Sequence, residues 1–266
     1  MLHFKFDGEG TCKDMGKQAP ANRGKYLYAI VAGSIEQNYG SIGIYESDVY
    51  TISDGWVSAV ISDVPNVKIR PERRHLKAHQ EVLKLLMEKN TPLPMSFGII
   101  AESSKAIKKI LNLNKVSFLK QLNRVANKVE MGLRVRWDVP NIFEYIITTH
   151  QELKVARDRF LGSHREPTQD DKIELGRMFE HILNEDREVS TKKVEEILSN
   201  YCFVTKKNKC RNEQEVMNLA CLVGKKALIE FESGILKAAE QFDNNYSFDY
   251  NGPWAPYNFV EIDLKF

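Results

Sequence analysis

The sequence has no feature that would send the protein into or across a membrane. Among its 266 residues, no apolar run approaches the roughly 18 residues that a membrane-spanning helix needs. No apolar signal segment opens the chain. Cysteine is scarce, and Cys12, Cys202, Cys210 and Cys221 form neither a C-x-x-C pair nor a cluster with histidine, as is typical of a reduced intracellular protein. These absences predict a soluble, cytoplasmic protein.

A large excess of one charge is also missing. The chain has 38 Lys and Arg against 36 Asp and Glu, which gives a formal net charge of +2. Proteins that bind nucleic acids usually carry a clear positive excess, because neutralised phosphates supply most of their affinity. The composition therefore suggests no nucleic-acid partner. The length and the 42% of hydrophobic residues favour two domains, each with its own core.

The common signatures of catalysis and cofactor binding are absent as well. The chain contains no G-x-S-x-G elbow, phosphate-binding P-loop, H-E-x-x-H motif or EF-hand loop. Gly33, Gly40 and Gly43 do not have the spacing of a dinucleotide-binding turn. We therefore predict a protein that is not an enzyme and that has no cofactor and no metal.

Three features have both a functional and a structural interpretation. His75 and His79 lie four apart on a predicted helix, a spacing that can hold a metal, but a hydrogen-bonded core histidine is the favoured interpretation of His79. Gly224–Lys226 could receive an anion at a helix start, although a plain turn is favoured. A basic patch could steer an acidic partner or be a solvated face, and the second is favoured. The residues of this patch are Arg70, Arg73, Arg74 and Lys77.

In the first half of the chain, residues 1–24 are predicted to be a flexible N-terminal arm, and residues 25–128 an α/β domain. Apolar runs predict strands over 26–32, 42–45, 49–52 and 56–61, with a hairpin turn at Asp54-Gly55. Helices are predicted over 71–89, 103–112 and 115–127. The first of these should bury a stripe formed by Leu76, His79, Leu83 and Leu86.

In the second half, the strict alternation of VEMGLRVRW predicts a strand over 129–137, and the domain boundary is placed just before it. Helices are predicted over 140–162 and 169–198, the second opened by a capping box at Thr168 and Asp171, with Gly176 at their close contact. Strands over 201–206 and 215–223, a helix over 225–243, and strands over 246–250 and 257–266 follow. The last strand should contain a β-bulge.

This order of elements predicts that residues 129–266 form a modified ferredoxin-like domain with a long antiparallel helix pair. The fold class is therefore α+β. The most unusual segment is GPWAPYNF at 252–259, where two prolines and three aromatic residues make a stiff loop. Trp254 either covers the end of a sheet or is presented to a partner as an interface anchor.

Five segments together resemble the gas vesicle protein F/L family. They are YLYAI (26–30), RRHLKAHQEVL (73–83), LPMSFG (93–98), VEMGLRVRWD (129–138) and GPWAPYNFVEI (252–262), in the family's order and spacing. Ala255 and Asn258 stand where the family's last motif usually has Pro and Ser. The candidate interaction residues within these motifs are Arg74, His79, Leu93, Pro94, Phe97, Gly98, Trp137, Gly252, Pro253, Trp254, Pro256, Tyr257 and Phe259.

The resemblance implies an N-terminal α/β domain, a C-terminal modified ferredoxin-like domain, and no enzymatic activity or cofactor. It also implies an accessory role in gas vesicle assembly, with the small hydrophobic shell protein and other accessory proteins as partners and the gas vesicle as location. Two alternatives remain open at this point. One is a ferredoxin-like module that binds nucleic acid or a regulator, and the other is a hydrolase or metal enzyme built around His79.

Overall fold

The computed structural model describes residues 23–161 and 168–266, which form two β-sheets and six α-helices. The predicted arm over 1–24 lies outside the described residues, except for Arg23 and Gly24. These two residues begin the first strand, which therefore starts three residues before the predicted bound at Tyr26. No described helix is both long and apolar enough to cross a membrane.

The strands and helices have the following bounds. The strands are β1 (Arg23–Ala32), β2 (Asn38–Gly40), β3 (Val49–Ser53), β4 (Val57–Pro65), β5 (Leu93–Pro94), β6 (Ile100–Ala101), β7 (Lys128–Trp137), β8 (Val204–Asn208), β9 (Glu215–Gly224) and β10 (Tyr246–Trp254). The helices are α1 (Arg73–Lys89), α2 (Ser104–Val125), α3 (Ile142–Thr149), α4 (Gln151–Leu161), α5 (Gln169–Leu198) and α6 (Leu228–Ala239).

The first sheet is antiparallel, with the order β2-β3-β4-β1-β5, and β6 also pairs with β1. Its two faces are covered by different helices. In β4, Val57, Ala59 and Ile61 pack with α2, whereas Val60 and Val64 pack with α1. Because both faces are buried, the strands have the near-continuous apolar composition from which they were predicted.

The second sheet has the order β10-β7-β9-β8, again with antiparallel pairing. Counted along the chain, the first and third of these strands are central, as in a ferredoxin-like sandwich. Helices α3 to α6 contribute to the core on one face, where Leu133, Val135 and Trp137 of β7 are buried. The α+β class and the ferredoxin-like arrangement are confirmed.

The other face of the second sheet is covered by α2 and the C-terminal segment. Ala220 and Leu222 of β9 belong to the same buried cluster as the inner face of α2. The Asn114 side chain exchanges two hydrogen bonds with the Lys265 backbone, at 2.9 and 3.0 Å. The two sheets therefore share the core around α2, and a domain boundary just before residue 129 stays a prediction.

Helix α2 is one helix, whereas the sequence predicted two with a break near residue 113. The predicted break came from the run Asn112-Leu113-Asn114, since asparagine is a poor helix former. Asn114 is instead buried within the helix, where its amide donates to the Ile110 carbonyl (2.8 Å) as well as to Lys265. A tertiary contact thus overrides the local preference.

The opposite error occurs in the predicted helix 140–162, which is two helices, α3 and α4, interrupted at His150. The Thr148 and Thr149 hydroxyls donate to carbonyls of the preceding turn, and such bonds compete with helix continuation. No atom of the described residues lies within 4 Å of a Cβ atom built at Gly176, so the predicted close approach at this glycine is not found among them. The capping box of Thr168 and Asp171 is confirmed.

Two predicted strands are not strands. Residues 42–45 contain a 3-10 turn at Ile44–Glu46, and the neighbouring strand is β2. At the C-terminus, Tyr257–Phe259 form a 3-10 turn and residues 260–266 join neither sheet. The change of apolar phase that suggested a β-bulge in this last segment is produced by that turn. A register shift does occur, but in β10 between Asn251 and Trp254.

Candidate functional site

The segment 252–259, called the loop below, begins within the last three residues of β10, at a point that requires glycine. Gly252 has φ +131°, and a Cβ atom there would lie 2.8 Å from Met131 Sδ and 2.9 Å from the Glu130 carbonyl oxygen. The Gly252-Pro253 peptide bond is cis. The close approach of Gly252 to Glu130 and Met131 thus fixes the path of the backbone that leads to Trp254.

The inner end of the loop, residues 257–259, is attached to the first sheet through a histidine. His79 Nε2 lies 2.9 Å from the Tyr257 hydroxyl, and His79 Nδ1 lies 2.8 Å from the Tyr26 hydroxyl. Burial lowers the pKa of His79 to about 4, so the imidazole is neutral near pH 7. One ring nitrogen therefore donates a hydrogen bond and the other accepts one. The two hydrogen bonds, Tyr26–His79 and His79–Tyr257, join β1, α1 and the loop.

The LPMSFG segment surrounds this chain of hydrogen bonds. Leu93 and Pro94 pair with Ile30 and Ala29 of β1. The Phe97 ring packs 5.9 Å from the rings of both Tyr26 and His79. Gly98 has φ +93° and donates its backbone N–H to the Tyr26 hydroxyl at 3.1 Å. The segment therefore positions the Tyr26–His79 pair and is itself largely covered.

A buried carboxylate holds the end of the loop. Glu130 accepts from the Asn258 backbone N–H (2.8 Å) and from Asn258 Nδ2 (2.6 Å). Burial raises the pKa of Glu130, and these two bonds oppose the rise. The alternation of β7 predicted a solvent-facing Glu130, which is wrong because the loop folds over it. Asn258, the departure from the family's usual Ser, supplies the side-chain donor.

The outer end of the loop forms one wall of an apolar cleft. The cleft has a volume of about 640 Å³ and lies between α1 and the start of α6. Trp254 is 46% exposed, and its indole N–H donates to Asn251 Oδ1 at 2.7 Å. The apolar lining residues are Leu83, Met87, Val129, Leu228, Pro253, Trp254 and Ala255, with Lys77, Gln80, Glu81, Lys84, Glu88 and Lys225 among them.

Lys225 fixes the two walls of the cleft to each other. Its ammonium donates to the carbonyls of Met87 (2.6 Å) and Asn90 (2.8 Å) at the C-terminal end of α1. Burial lowers the pKa of Lys225. Because this ammonium is engaged by α1, the favoured interpretation of Gly224–Lys226 as a plain turn agrees with the structure, and the anion-binding alternative loses one of its two lysines.

The remaining candidate residues do not join one site. Arg74 is exposed at the start of α1 and pairs with Glu72 at 2.9 Å. Trp137 is buried in the core of the helical face of the second sheet, and Phe259 in the core around α2. Pro256 precedes the 3-10 turn. The predicted set thus divides into the His79–Tyr257 contact, the Trp254 cleft and separate packing positions.

The predicted helix stripe also needs one correction. Leu76 is 41% exposed, and His75 is buried in its place, with its Nδ1 3.0 Å from the Arg70 carbonyl oxygen. Both nitrogens of His79 are engaged by tyrosine hydroxyls, so His79 offers no free nitrogen to a metal. No group of three or more His, Cys, Asp or Glu side chains that could hold a metal occurs in the described residues.

Sequence reasoning missed the second wall of the cleft. Met87 and Lys84 lie on the side of α1 next to its buried stripe, and Leu228 opens α6. Their meeting depends on how the two sheets pack, for which the periodicity of single elements holds no signal. Glu130 gave one weak signal, an acidic residue at the start of an otherwise apolar strand.

These features define a class: a two-sheet α+β protein with a ferredoxin-like second sheet and an apolar cleft beside a rigid aromatic loop. Residues 24–261 match the family described as gas vesicle synthesis protein GvpL/GvpF, and the chain belongs to that family. This is a family of gas vesicle proteins and not a known enzyme family.

The relatives are distant but collinear. A gas vesicle protein F from Dolichospermum flosaquae is 22% identical over 241 residues, which span 90% of this chain and 98% of that protein. A gas vesicle protein F from a Streptomyces species is 27% identical, and the match spans 89% of this chain and 99% of that protein. The crystal structure of GvpF from an Anabaena species superposes with a TM-score of 0.78 at 24% identity, covering 90% and 99% of the two chains. GvpF from Microcystis aeruginosa gives 0.75 at 22% identity with the same coverage.

Proposed function

We propose that this protein is an accessory factor for gas vesicle assembly that binds the hydrophobic shell protein and other accessory proteins without catalysing a reaction. Family membership supports the connection with gas vesicles. The shell protein and the other accessory proteins are the partners that we infer. The protein would act in the cytoplasm and at the growing vesicle.

The physical need for such a factor follows from the nature of the shell. A shell subunit exposes apolar surface before it polymerises, and exposed apolar surface of this kind promotes aggregation. A binding protein that covers part of that surface would keep the subunit soluble or hold it for addition to the array. For this it needs an exposed apolar contact that is fixed in place before binding.

The single observation that carries the proposal is the position of Trp254. Its ring is 46% exposed beside an apolar cleft of about 640 Å³. Covering the exposed part of a tryptophan is worth on the order of 1–3 kcal/mol at about 25 cal/mol per Å². The loop backbone is already fixed by Gly252, by Glu130 and by the His79–Tyr257 bond, so binding would cost little ordering of the loop.

The edges of the second sheet offer a further route to a polypeptide partner. Strands β10 and β8 are its outer strands. An extended segment can add to such an edge through backbone hydrogen bonds. Strand β8 carries Lys206 and Lys207, which discourage uncontrolled pairing, and the Trp254 end of β10 adjoins the cleft. We therefore place the shell contact at the β10 end.

The test is recovery of the shell protein by tagged wild-type protein and by Trp254→Ala. We expect the variant to recover several-fold less shell protein, because the fixed aromatic contact is lost. Val189→Ala is the matched control, since Val189 is 70% exposed on α5 and lies outside the cleft. Equal recovery by wild type and Trp254→Ala would remove the cleft from the interface.

The nucleic-acid alternative loses its main surface. A ferredoxin-like module that binds RNA uses the sheet face opposite the helices. Here Ala220 and Leu222 on that face are 1% and 2% exposed, covered by the core around α2. The alternative of an enzyme built on His79 would require measured turnover of a small molecule by the purified protein.

A further inference from the structure

Helix α2 has an unusual charge composition. Its 22 residues include six cations and no acidic residue. Helices α1 and α5, which are also long surface helices, contain both signs. The cations of α2 are Lys105, Lys108, Lys109, Lys115, Lys120 and Arg124.

Four of these cations lie on one stripe together with two aliphatic residues. Positions 105, 109, 113, 116, 120 and 124 are separated by steps of four, four, three, four and four, which place them on one face of a helix. All six are exposed, and the two aliphatic side chains at the centre, Leu113 and Val116, are 48% and 82% exposed. We call these six residues the α2 ridge: Lys105, Lys109, Leu113, Val116, Lys120 and Arg124.

The α2 ridge differs from α1 in the pairing of its charges. Within residues 23–161 and 168–266, no ion pair joins any of its four cations to an acidic side chain. On α1, by contrast, Lys77 pairs with Glu81 at 3.5 Å. The nearby C-terminal segment brings Glu261, but its carboxylate lies 4.0 Å from Lys206. The ridge is therefore a positive surface with an apolar centre.

The α2 ridge is separate from the Trp254 cleft. Helix α1, which lines the cleft, packs on one face of the first sheet, and α2 packs on the other. A partner on the ridge and a partner in the cleft would contact different sides of that sheet. The ridge can therefore be tested independently of the proposed function.

We propose that the α2 ridge docks an acidic amphipathic polypeptide segment, with carboxylates opposite the two pairs of cations and apolar side chains on Leu113 and Val116. Charge complementarity selects an acidic partner. Because the apolar pair interrupts the line of cations, the ridge does not offer the continuous positive track that a phosphate backbone requires. Two aliphatic side chains also bury too little area to hold a lipid surface. An acidic amphipathic polypeptide can supply both the carboxylates for the cations and the apolar side chains for Leu113 and Val116.

The probe is a synthetic helical peptide with two Leu at its centre and Glu at both ends, labelled for fluorescence anisotropy. We expect the full-length protein to bind it, with an affinity that falls as salt rises. We expect Lys109→Glu with Lys120→Glu to weaken binding at least ten-fold, and Leu113→Ser with Val116→Ser to weaken it several-fold. A peptide with Lys in place of Glu should not bind.

The matched control is Lys172→Glu with Lys192→Glu, which makes the same change of net charge at exposed positions of α5. Unchanged binding by this control supports the ridge. Equal weakening by the control and the ridge variant would show a response to bulk charge and overturn the proposal. Tighter binding of single-stranded RNA or of anionic phosphatidylserine vesicles than of the peptide would also overturn it. Binding is compared only among variants whose unfolding midpoint matches that of the wild type. If Lys109→Glu with Lys120→Glu fails to fold, Lys109→Gln with Lys120→Gln takes its place.

Discussion

Trp254 and Tyr257 lie three residues apart in one loop, yet they occupy opposite environments. Tyr257 packs against the core of the first sheet and hydrogen-bonds to His79. Trp254 is 46% exposed on the wall of a cleft, and its indole N–H donates to Asn251, the residue just before the loop. A motif that is uniform in sequence character therefore has an inner end that holds the fold and an outer end that remains available to a partner.

This difference would allow one short segment both to hold the fold and to bind the proposed partner. The inner end makes tertiary contacts with elements more than 120 residues away, through Glu130 and His79. These contacts fix the backbone, and the fixed backbone presents Trp254. We expect substitutions at the inner end to change stability and those at the outer end to change binding.

The largest effect is expected at Phe259. Its side chain is 3% exposed in the core around α2, and removal of a buried phenylalanine costs about 3–5 kcal/mol. Phe259→Ala should lower the free energy of unfolding by that amount, as measured by denaturant unfolding. Phe266→Ala is the control, since Phe266 is 68% exposed. A loss below about 1 kcal/mol at Phe259 would contradict the proposed role of the inner end.

A pH-dependent effect of similar size is expected from His79. Burial lowers its pKa from 6.5 to about 4, so between these values the unfolded chain binds the proton more readily than the folded chain. Stability should therefore be fully retained above pH 6.5 and fall as the pH is lowered toward 4, by up to about 3 kcal/mol from this group.

The measurement is the unfolding free energy of wild type and His79→Gln from pH 7 to pH 4. The variant should lose the part of the pH dependence that belongs to this group. His181→Gln is the control, because His181 is exposed and lies 3.4 Å from Glu185 on its own helix. Identical profiles for wild type and His79→Gln would show that His79 is not held neutral by burial.

A smaller effect is expected from the tyrosine hydroxyl at the inner end. Tyr257→Phe keeps the ring but leaves His79 Nε2 without its partner, which should cost about 1–2 kcal/mol. Tyr250→Phe removes an exposed hydroxyl that contacts Glu232 and should change stability by less than about 0.5 kcal/mol. Equal losses in the two variants would remove the distinction between buried and exposed hydroxyls.

A smaller loss of stability than at Phe259 is also expected at Trp254. Because its ring is 46% exposed, Trp254→Ala should lower the free energy of unfolding by about 1–2 kcal/mol. Denaturant unfolding checks this directly. A loss above about 3 kcal/mol would show that Trp254 supports the fold in the same way as the inner end.

Much of the fold could be predicted from local patterns. The alternation in β7, the capping box of α5 and the Asp54-Gly55 hairpin each encode their structure in adjacent residues. The errors arose where distant contacts decide. Because a hydrogen bond to Lys265 satisfies the side-chain amide of Asn114, α2 continues through this residue. The segment after Phe259 packs along α2 and joins no sheet.

The candidate site was predictable only in part. The loop 252–259 was identified by its composition. Both of its interpretations concerned Trp254, and the 46% exposure of this residue agrees better with an exposed anchor, which stays a proposal, than with a cover over the end of the sheet. The cleft was not predictable, because α1 and α6 meet only through the packing of the two sheets and the Lys225 contact. Glu130 was misassigned because alternation describes a strand and not the loop that covers it.

The central claim is that the outer end of the loop contacts the shell protein, and photocrosslinking tests it most directly. A photoreactive phenylalanine analogue is placed at position 254 in one protein and at position 189 in another. The account predicts a crosslink to the shell protein from position 254 and none from position 189. No crosslink from 254, or equal yields from both positions, would contradict it.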